Sequence, residues 1–400
     1  MQFQINCKNY YVTSRFCIDN EITEAIFLIS LYRFNYIFGI ILWLVVWLSP
    51  AKLNIGVLNV SLEYLLFYLY LIVSLFCYGL TVRQLLVFMA AIIIVLLDLL
   101  RSVELIKIMP LGFLIAAAGA WRFSRGIITH KNSYIYFILM LPIVSIVTRL
   151  LYPEFGMIEG NDTLTLSGVE TKRLNLLTYE SNSVALMLIM FLVPLLFLDI
   201  IKSKIILIVL YIFICVSISL TFSRSGMVSL IFVILWAAFF SEKRKEIMFL
   251  IVLSSILLAF FIDNFYGHYV LILDRLSALN YLSDTRGDIL QNAVNSLIYS
   301  DWGILFGLGF WNQGITDNTL ISLFIAYGMV FGLFIVLSVL LFVYKIRLVV
   351  QTKILIAFFV PFFIYALTVD IFGQAKLIAV LALMINISIS YEKRYPCHKA

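Results

Sequence analysis

Apolar runs long enough to cross a bilayer recur along almost the whole chain, and they constrain its fold more than any other feature. A membrane-spanning helix needs about 20 mainly apolar residues. The chain is 63% hydrophobic and only 12% charged, whereas soluble domains are about 25% charged. Backbone in lipid must satisfy its own hydrogen bonds, and these runs lack two-residue alternation, so helices are expected. The sequence therefore predicts an all-α polytopic integral membrane protein.

We expect about twelve transmembrane helices in a single transmembrane domain covering 1–400. No repeat with a period of 20–50 residues is visible. The first residues lack the continuous apolar segment and cleavage site of a signal peptide, so the first span is expected to be retained. The predicted spans are 25–48, 60–80, 84–100, 105–121, 133–152, 183–200, 205–221, 225–240, 247–263, 320–344, 354–370 and 375–390.

Lysine and arginine indicate the orientation of these spans, because cytoplasmic loops carry an excess of both. With the N-terminus inside, most of these residues fall in short inner segments such as 241–246. An even number of spans then puts both termini on the cytoplasmic side. The two long polar loops, 153–181 and 263–318, are predicted to be external.

Several classes of function have no support in the sequence. There is no CxxC, no HExxH and no clustered histidine, so a protein-built metal site is not expected. Nucleotide-binding signatures are absent as well. The net charge of +6 reflects the inner loops rather than a nucleic-acid partner. We expect no cofactor, and an enzyme of this kind would draw its energy from an already activated substrate.

Three arginines lie beside polar residues on the predicted external side: Arg173, Arg224 and Arg286. Arginine captures phosphate oxygens bidentately and keeps its charge. Arg224 stands in the stretch S-R-S-G between two apolar spans, where a buried arginine costs a few kcal/mol unless it pairs or faces water. The alternative is that it snorkels to the headgroups. Together the arginines predict a site for a lipid diphosphate, whose departure cations would assist.

Polar residues also begin two of the spans. Glu180 and Asn182 precede the span at 183–200. Such residues routinely cap a helix N-terminus, and for Glu180 capping and an active-site role are equally supported. Asp317 and Asn318 are expected to cap the span at 320–344.

The second external loop is predicted to contain an amphipathic helix. From Asp288 onward its apolar residues recur at helical spacing. Arg286 is expected to precede this helix, in a turn with Gly287. In the following span, Gly328 and Gly332 have a GxxxG spacing that favours helix packing.

At these residues the sequence resembles the superfamily of O-antigen polymerases and O-antigen ligases, bacterial membrane glycosyltransferases that use undecaprenyl-diphosphate-linked glycans. The resemblance covers about 170–340 and consists of short motifs whose order and side of the membrane agree. These are an Arg followed by an Asn at the next helix start (Arg173, Asn182), S-R-x-G (Ser223, Arg224, Gly226), an external helix started by Arg286 and ending in G-x-G-F (Gly307, Gly309, Phe310), and Asn318 before a glycine-rich span.

The resemblance implies an active site on the periplasmic face of the bacterial inner membrane. A growing glycan would pass from undecaprenyl diphosphate to a lipid-linked repeat unit. Arg224 and Arg286 would hold the donor diphosphate, and Arg173 the other phosphate or the acceptor. Asp317 or Glu180 would orient or deprotonate the acceptor, with Asn182 and Asn318 lining the site. The implied partners are the undecaprenyl-diphosphate-linked oligosaccharide, the lipid bilayer, and chain-length regulator and flippase proteins of the same pathway.

One departure bears on the choice within this superfamily. Ligases typically carry a histidine where this chain has Asp317, and a carboxylate is a less efficient base near neutral pH unless its pKa is raised. This difference favours a polymerase over a ligase, which would transfer the glycan to lipid A core. The external His268 is the alternative base that could replace the histidine missing at 317.

A flippase or another transporter for lipid-linked oligosaccharides is the alternative from a different class. Transporters need a site near the middle of the membrane. The charged candidates for such a site lie mostly near predicted span ends: Arg33, Asp98, Arg149 and Asp370.

Overall fold

The computed structural model describes 52–55, 58–61, 163–166, 169–172, 181–201, 203–261, 285–300, 303–308, 319–367 and 375–394, with the single helical positions 69, 89, 143 and 147. Apart from four short strands, this part of the chain forms helices and their connections. The helices are α1 (Ser181–Phe197), α2 (Lys204–Leu220), α3 (Arg224–Phe240), α4 (Arg244–Phe261), α5 (Thr285–Ile298), α6 (Gly303–Phe306), α7 (Thr319–Arg347), α8 (Thr352–Ala366) and α9 (Ala375–Arg394).

The predicted helical fold class is confirmed for this described part. Each predicted span from 183–200 onward coincides with one helix to within a few residues. The spans predicted before residue 153 fall almost entirely outside the described residues, so the total of about twelve stays a prediction. Among the helices described, one, Tyr327–Arg347 within α7, is both long and apolar enough to cross a membrane, and α1, α2, α3 and α8 are shorter apolar helices.

The strands form two antiparallel hairpins that the sequence analysis did not predict. Strand β1 (Lys52–Ile55) pairs with β2 (Leu58–Ser61), and β3 (Thr163–Leu166) pairs with β4 (Val169–Lys172). The first hairpin includes the first two residues of the predicted span at 60–80, and the second lies in 153–181, the segment predicted to be an external loop. A glycine within each two-residue connection is the sequence signal that favours such turns.

Helix α1 forms the centre of the described bundle. It is buried along its whole length except at Asn182, and α2, α3, α8 and α9 pack around it. A helix that is apolar on every side is typical of a buried core position or a membrane span, and here neighbouring helices cover it.

The surrounding helices present large apolar side chains outward. Ile205 on α2, Phe239 on α3 and Leu341 on α7 are each at least 60% exposed, and similar residues continue along the same helices. Contiguous apolar surface of this kind marks an interaction or membrane surface. The outer faces of these helices therefore have the composition of an interaction or membrane surface.

Side-chain contacts show how the helices run relative to one another. Helices α1 and α3 are parallel, because Gly226 lies against Ala185 near their N-termini and the Ser241 hydroxyl after α3 donates to the carbonyl of Leu196 near the end of α1, at 2.5 Å. Helix α8 is antiparallel to both. At the start of α8, the carbonyl of Lys353 accepts a hydrogen bond from Trp236 Nε1, near the end of α3, at 2.8 Å. At the end of α8, Tyr365 lies close to Gly226, near the start of α3.

The bundle therefore has two ends of different character. We call the end that holds Ser181, Arg224 and Tyr365 the arginine end. The opposite end, formed by 199–204, 241–246 and 345–353, is called the basic end. All three loops of the basic end were predicted to be inner loops, and the structure brings them together.

Ion pairs link the loops of the basic end. They join Lys204 to Glu246 at 3.3 Å, Lys243 to Asp199 at 3.0 Å and Lys353 to Glu242 at 3.6 Å. A backbone hydrogen bond in its own helix turn, and then Lys204, lower the pKa of Glu246. A lowered carboxyl pKa adds stability above the unfolded-state pKa and loses it as the pH falls through the folded-state value. Because 38% of the Glu246 side chain is exposed to solvent, this contribution is small.

Helix α7 is kinked at Gly328, which has φ 69° and ψ −174°. In an unbroken helix the carbonyl of Ile325 would accept from the N–H of Met329, but the kink falls between them. The N–H of Leu308, just after α6, donates to this carbonyl instead, at 2.8 Å. Gly328 packs against the backbone of Leu305 in α6, which agrees with a helix-packing role for this glycine. Gly332 instead faces Phe324 of its own helix, so the two glycines do not share one packing surface.

We predict that Gly328→Ala destabilises the protein by about 3 kcal/mol, because this backbone conformation is open essentially to glycine alone. A Cβ there would also meet the carbonyl of Leu305. The matched control is Ser338→Ala on the exposed side of α7. Melting temperatures in detergent should fall for the first variant and stay unchanged for the second, and equal melting temperatures would contradict this explanation of the kink.

Candidate functional site

The S-R-S-G stretch forms the junction between α2 and α3. Thr221 ends α2 and its hydroxyl donates to the carbonyl of Ile218 at 2.6 Å. Phe222 has a left-handed backbone with φ 49°, which costs a non-glycine residue about 1–2 kcal/mol. Ser223 then caps α3, since its Oγ accepts from the N–H of Gly226 at 3.1 Å. Strain of this kind is found preferentially at functional sites, where packing holds it in place.

Arg224 is the first residue of α3. The residue is partly exposed, while its Nε atom is buried. The side chain thus leaves the core at the arginine end, on the opposite side of the bundle from the basic loops. This position fits an arginine that faces a charged ligand at the edge of the apolar layer.

Buried hydroxyls surround the cap of α3. Ser223 Oγ lies 3.2 Å from Ser225 Oγ and 3.3 Å from the hydroxyl of Tyr365, and all three residues are buried. We call these three residues the hydroxyl cluster. The cluster consists entirely of neutral polar groups, and it lies next to Arg224, the first residue of α3.

Three more serines near this end are buried with no hydrogen-bond partner for their hydroxyls among the described residues: Ser181, Ser183 and Ser229. An unsatisfied buried hydroxyl costs about 1–3 kcal/mol. The arginine end therefore has more polar capacity than its described neighbours use.

Gly226 explains why the motif needs a small residue. A Cβ at this position would lie 2.7 Å from Ala185 Cβ and 2.9 Å from the Tyr365 hydroxyl. Glycine allows α3 to approach α1 and α8 this closely. The expectation that the small residues of this motif let a neighbouring helix approach is confirmed.

Asn182 lies at the same end as Arg224. It is the second residue of α1 and is partly buried, and α1 and α3 are parallel, so both N-termini face the same way. Helix N-termini carry a partial positive charge and expose N–H groups, which favours anions. Of the predicted site residues, Asn182 and Arg224 lie at the same end of the described bundle.

We predicted that Arg286 precedes the amphipathic helix, and this is wrong. Arg286 belongs to the helix. Helix α5 begins at Thr285, so Arg286 and Gly287 lie in its first turn. The predicted start of the helix, at Asp288, was too late, because glycine and the polar residues before Asp288 are typical of turns. Helix α5 contacts α6 and α7.

Four predicted site residues, with His268, lie outside the described residues: Arg173, Glu180, Asp317 and Asn318.

The residue that sequence analysis missed at this site is Tyr365. A buried tyrosine hydroxyl usually finds a hydrogen-bond partner, so a lone tyrosine near the end of an apolar span signals a polar contact. The sequence does not indicate which residue that partner is.

Comparison of this chain with protein-family models, curated proteins and solved structures finds no match. The arginine end is therefore interpreted from its chemistry and from the motifs in the sequence.

We predict that Gly226→Ala destabilises the protein by about 1–3 kcal/mol, because the added methyl overpacks the contact with Ala185. Combining it with Ala185→Gly removes one of the two clashing methyl groups. The double variant should then regain part of the lost melting temperature. If Ala185→Gly only adds to the loss, the contact between these two residues does not limit the helix spacing.

Proposed function

We propose that the protein is a repeat-unit polymerase of O-antigen or a related surface polysaccharide, a glycosyltransferase of lipopolysaccharide biosynthesis. The glycosidic bond between the growing glycan and undecaprenyl diphosphate breaks. A new bond forms to a hydroxyl of the terminal sugar on a lipid-linked repeat unit. The acceptor proton passes to a base, and undecaprenyl diphosphate leaves.

The observation that carries this proposal is the position of Arg224. It begins a helix beside a second helix N-terminus, at the end of the bundle opposite the basic loops. Arginine and helix N-termini both favour phosphate oxygens. Negative charge grows on the diphosphate as the sugar leaves, so cations held there lower the barrier.

The other roles come from the sequence motifs. Arg286 joins Arg224 on the donor diphosphate, and Arg173 binds the other phosphate or the acceptor. Asp317 or Glu180 takes the acceptor proton. Asn182 and Asn318 supply neutral hydrogen bonds to the glycan.

The same proposal fixes the orientation in the membrane. Basic loops face the cytoplasm in most membrane proteins, so the basic end is assigned to the cytoplasmic side of the inner membrane. The arginine end is assigned to the periplasmic side, where undecaprenyl-diphosphate-linked glycans would be bound in the outer leaflet.

We predict that deleting the gene in its native host collapses the polysaccharide ladder to lipid A core bearing a single repeat unit. Wild-type protein should restore the ladder and Arg224→Ala should not, since one cation on the leaving group is lost. The matched control is Arg244→Ala, because Arg244 also begins a helix but lies at the basic end. Extracted polysaccharide is compared on gels at equal protein levels.

Other outcomes would assign the protein differently. Long lipid-linked chains that never reach the core would identify a ligase. Single units trapped on the cytoplasmic face would identify a flippase. A full ladder with Arg224→Ala would remove Arg224 from the active site.

A further inference from the structure

We propose that Tyr365 is a positioning residue for Arg224, acting through the Ser223 cap of α3. This inference rests on the proposed role of Arg224 in binding the donor diphosphate. It assigns a function to a residue of α8 that is distant in sequence from every motif discussed above.

Tyr365 contacts the start of α3 at two points. Its hydroxyl lies 3.3 Å from Ser223 Oγ and 2.9 Å from the position that a Cβ on Gly226 would take. The side chain is fully buried. The hydroxyl therefore meets both the cap and the first turn of the helix that Arg224 begins.

The hydrogen-bond capacity of Ser223 suits a tyrosine donor. A serine oxygen has two acceptor lone pairs and one hydrogen. One lone pair accepts from the N–H of Gly226, which leaves the second for the O–H of Tyr365. The serine hydrogen can then point to Ser225 Oγ at 3.2 Å. In this arrangement each group of the hydroxyl cluster has a partner.

The junction needs to be held because it is strained. Phe222, two residues before Arg224, has the left-handed backbone described above, and such conformations persist only where the surroundings enforce them. At the other end of α3, Trp236 binds the carbonyl of Lys353. Helix α8 thus contacts α3 near both ends, and Tyr365 fixes the end that carries Arg224.

A double-mutant cycle separates positioning from a purely structural role. The variants are Tyr365→Phe, Arg224→Lys and their combination, with Tyr344→Phe as the control because Tyr344 is exposed on α7. The initial rate of chain elongation is measured with purified protein in detergent and lipid-linked repeat units. Melting temperatures are measured on the same samples.

Tyr365→Phe should slow elongation about tenfold with Arg224 present, since misplacing a binding group lowers the rate. In the Arg224→Lys background the same change should have little effect, because a flexible lysine depends less on the helix start. Ser223→Ala removes the other partner of this hydrogen bond, so it should also slow elongation with Arg224 present and have little effect in the Arg224→Lys background. This variant tests the inference even if Tyr365→Phe does not fold. Tyr344→Phe should elongate at the wild-type rate.

Equal losses in both backgrounds would overturn the inference and indicate a structural tyrosine. An unchanged rate in Tyr365→Phe would overturn it as well. If Arg224→Ala elongates normally, the proposed role of Arg224 fails, whatever Tyr365 does. If Arg224→Ala is inactive and Tyr365→Phe is normal, only the inference about Tyr365 fails.

Discussion

The close contact between α1 and α3 is the constraint on which the described bundle depends. A Cβ added at Gly226 would lie only 2.7 Å from Ala185 Cβ, so a larger residue at 226 does not fit against α1. This contact keeps the two helices parallel and near each other, with their N-termini at one end. Asn182 and Arg224 consequently lie at the same end of the bundle although the whole of α2 separates them in sequence. The same packing brings Tyr365 from α8 to the cap of α3.

Among the described residues, the parallel packing of α1 and α3 also separates Arg224 from the charged loops at the other end of the bundle. The loops at 199–204, 241–246 and 345–353 meet at the basic end, where three ion pairs join them. Arg224 lies at the other end, beside hydroxyl groups and away from those carboxylates. An arginine beside two helix N-termini suits phosphate oxygens, which both favour. This difference between the two ends underlies both the proposed orientation and the proposed substrate.

The helices of the described part could be predicted from apolar runs, because length and hydropathy alone decide whether a segment suits a membrane span. The kink at Gly328 could not, since it depends on the backbone of 303–308 docking against α7. Likewise, the S-R-S-G motif predicted a polar site at the membrane edge, but the contact of Ser223 with Tyr365 is a tertiary contact between residues far apart in sequence. The hairpins were not predicted, because strands of four residues are too short to stand out beside the long apolar runs.

In the proposed orientation, the two ends of the bundle face opposite sides of the membrane. Cysteine accessibility tests this most directly, in a protein whose five native cysteines are replaced by serine and which still restores the ladder. Leu367→Cys marks the arginine end and Lys245→Cys the basic end, and both positions are exposed. A membrane-impermeant maleimide should label Leu367→Cys in cells with an intact inner membrane, and Lys245→Cys only after that membrane is permeabilised. Labelling of Lys245→Cys in intact cells, or of both positions from one side, would contradict the account.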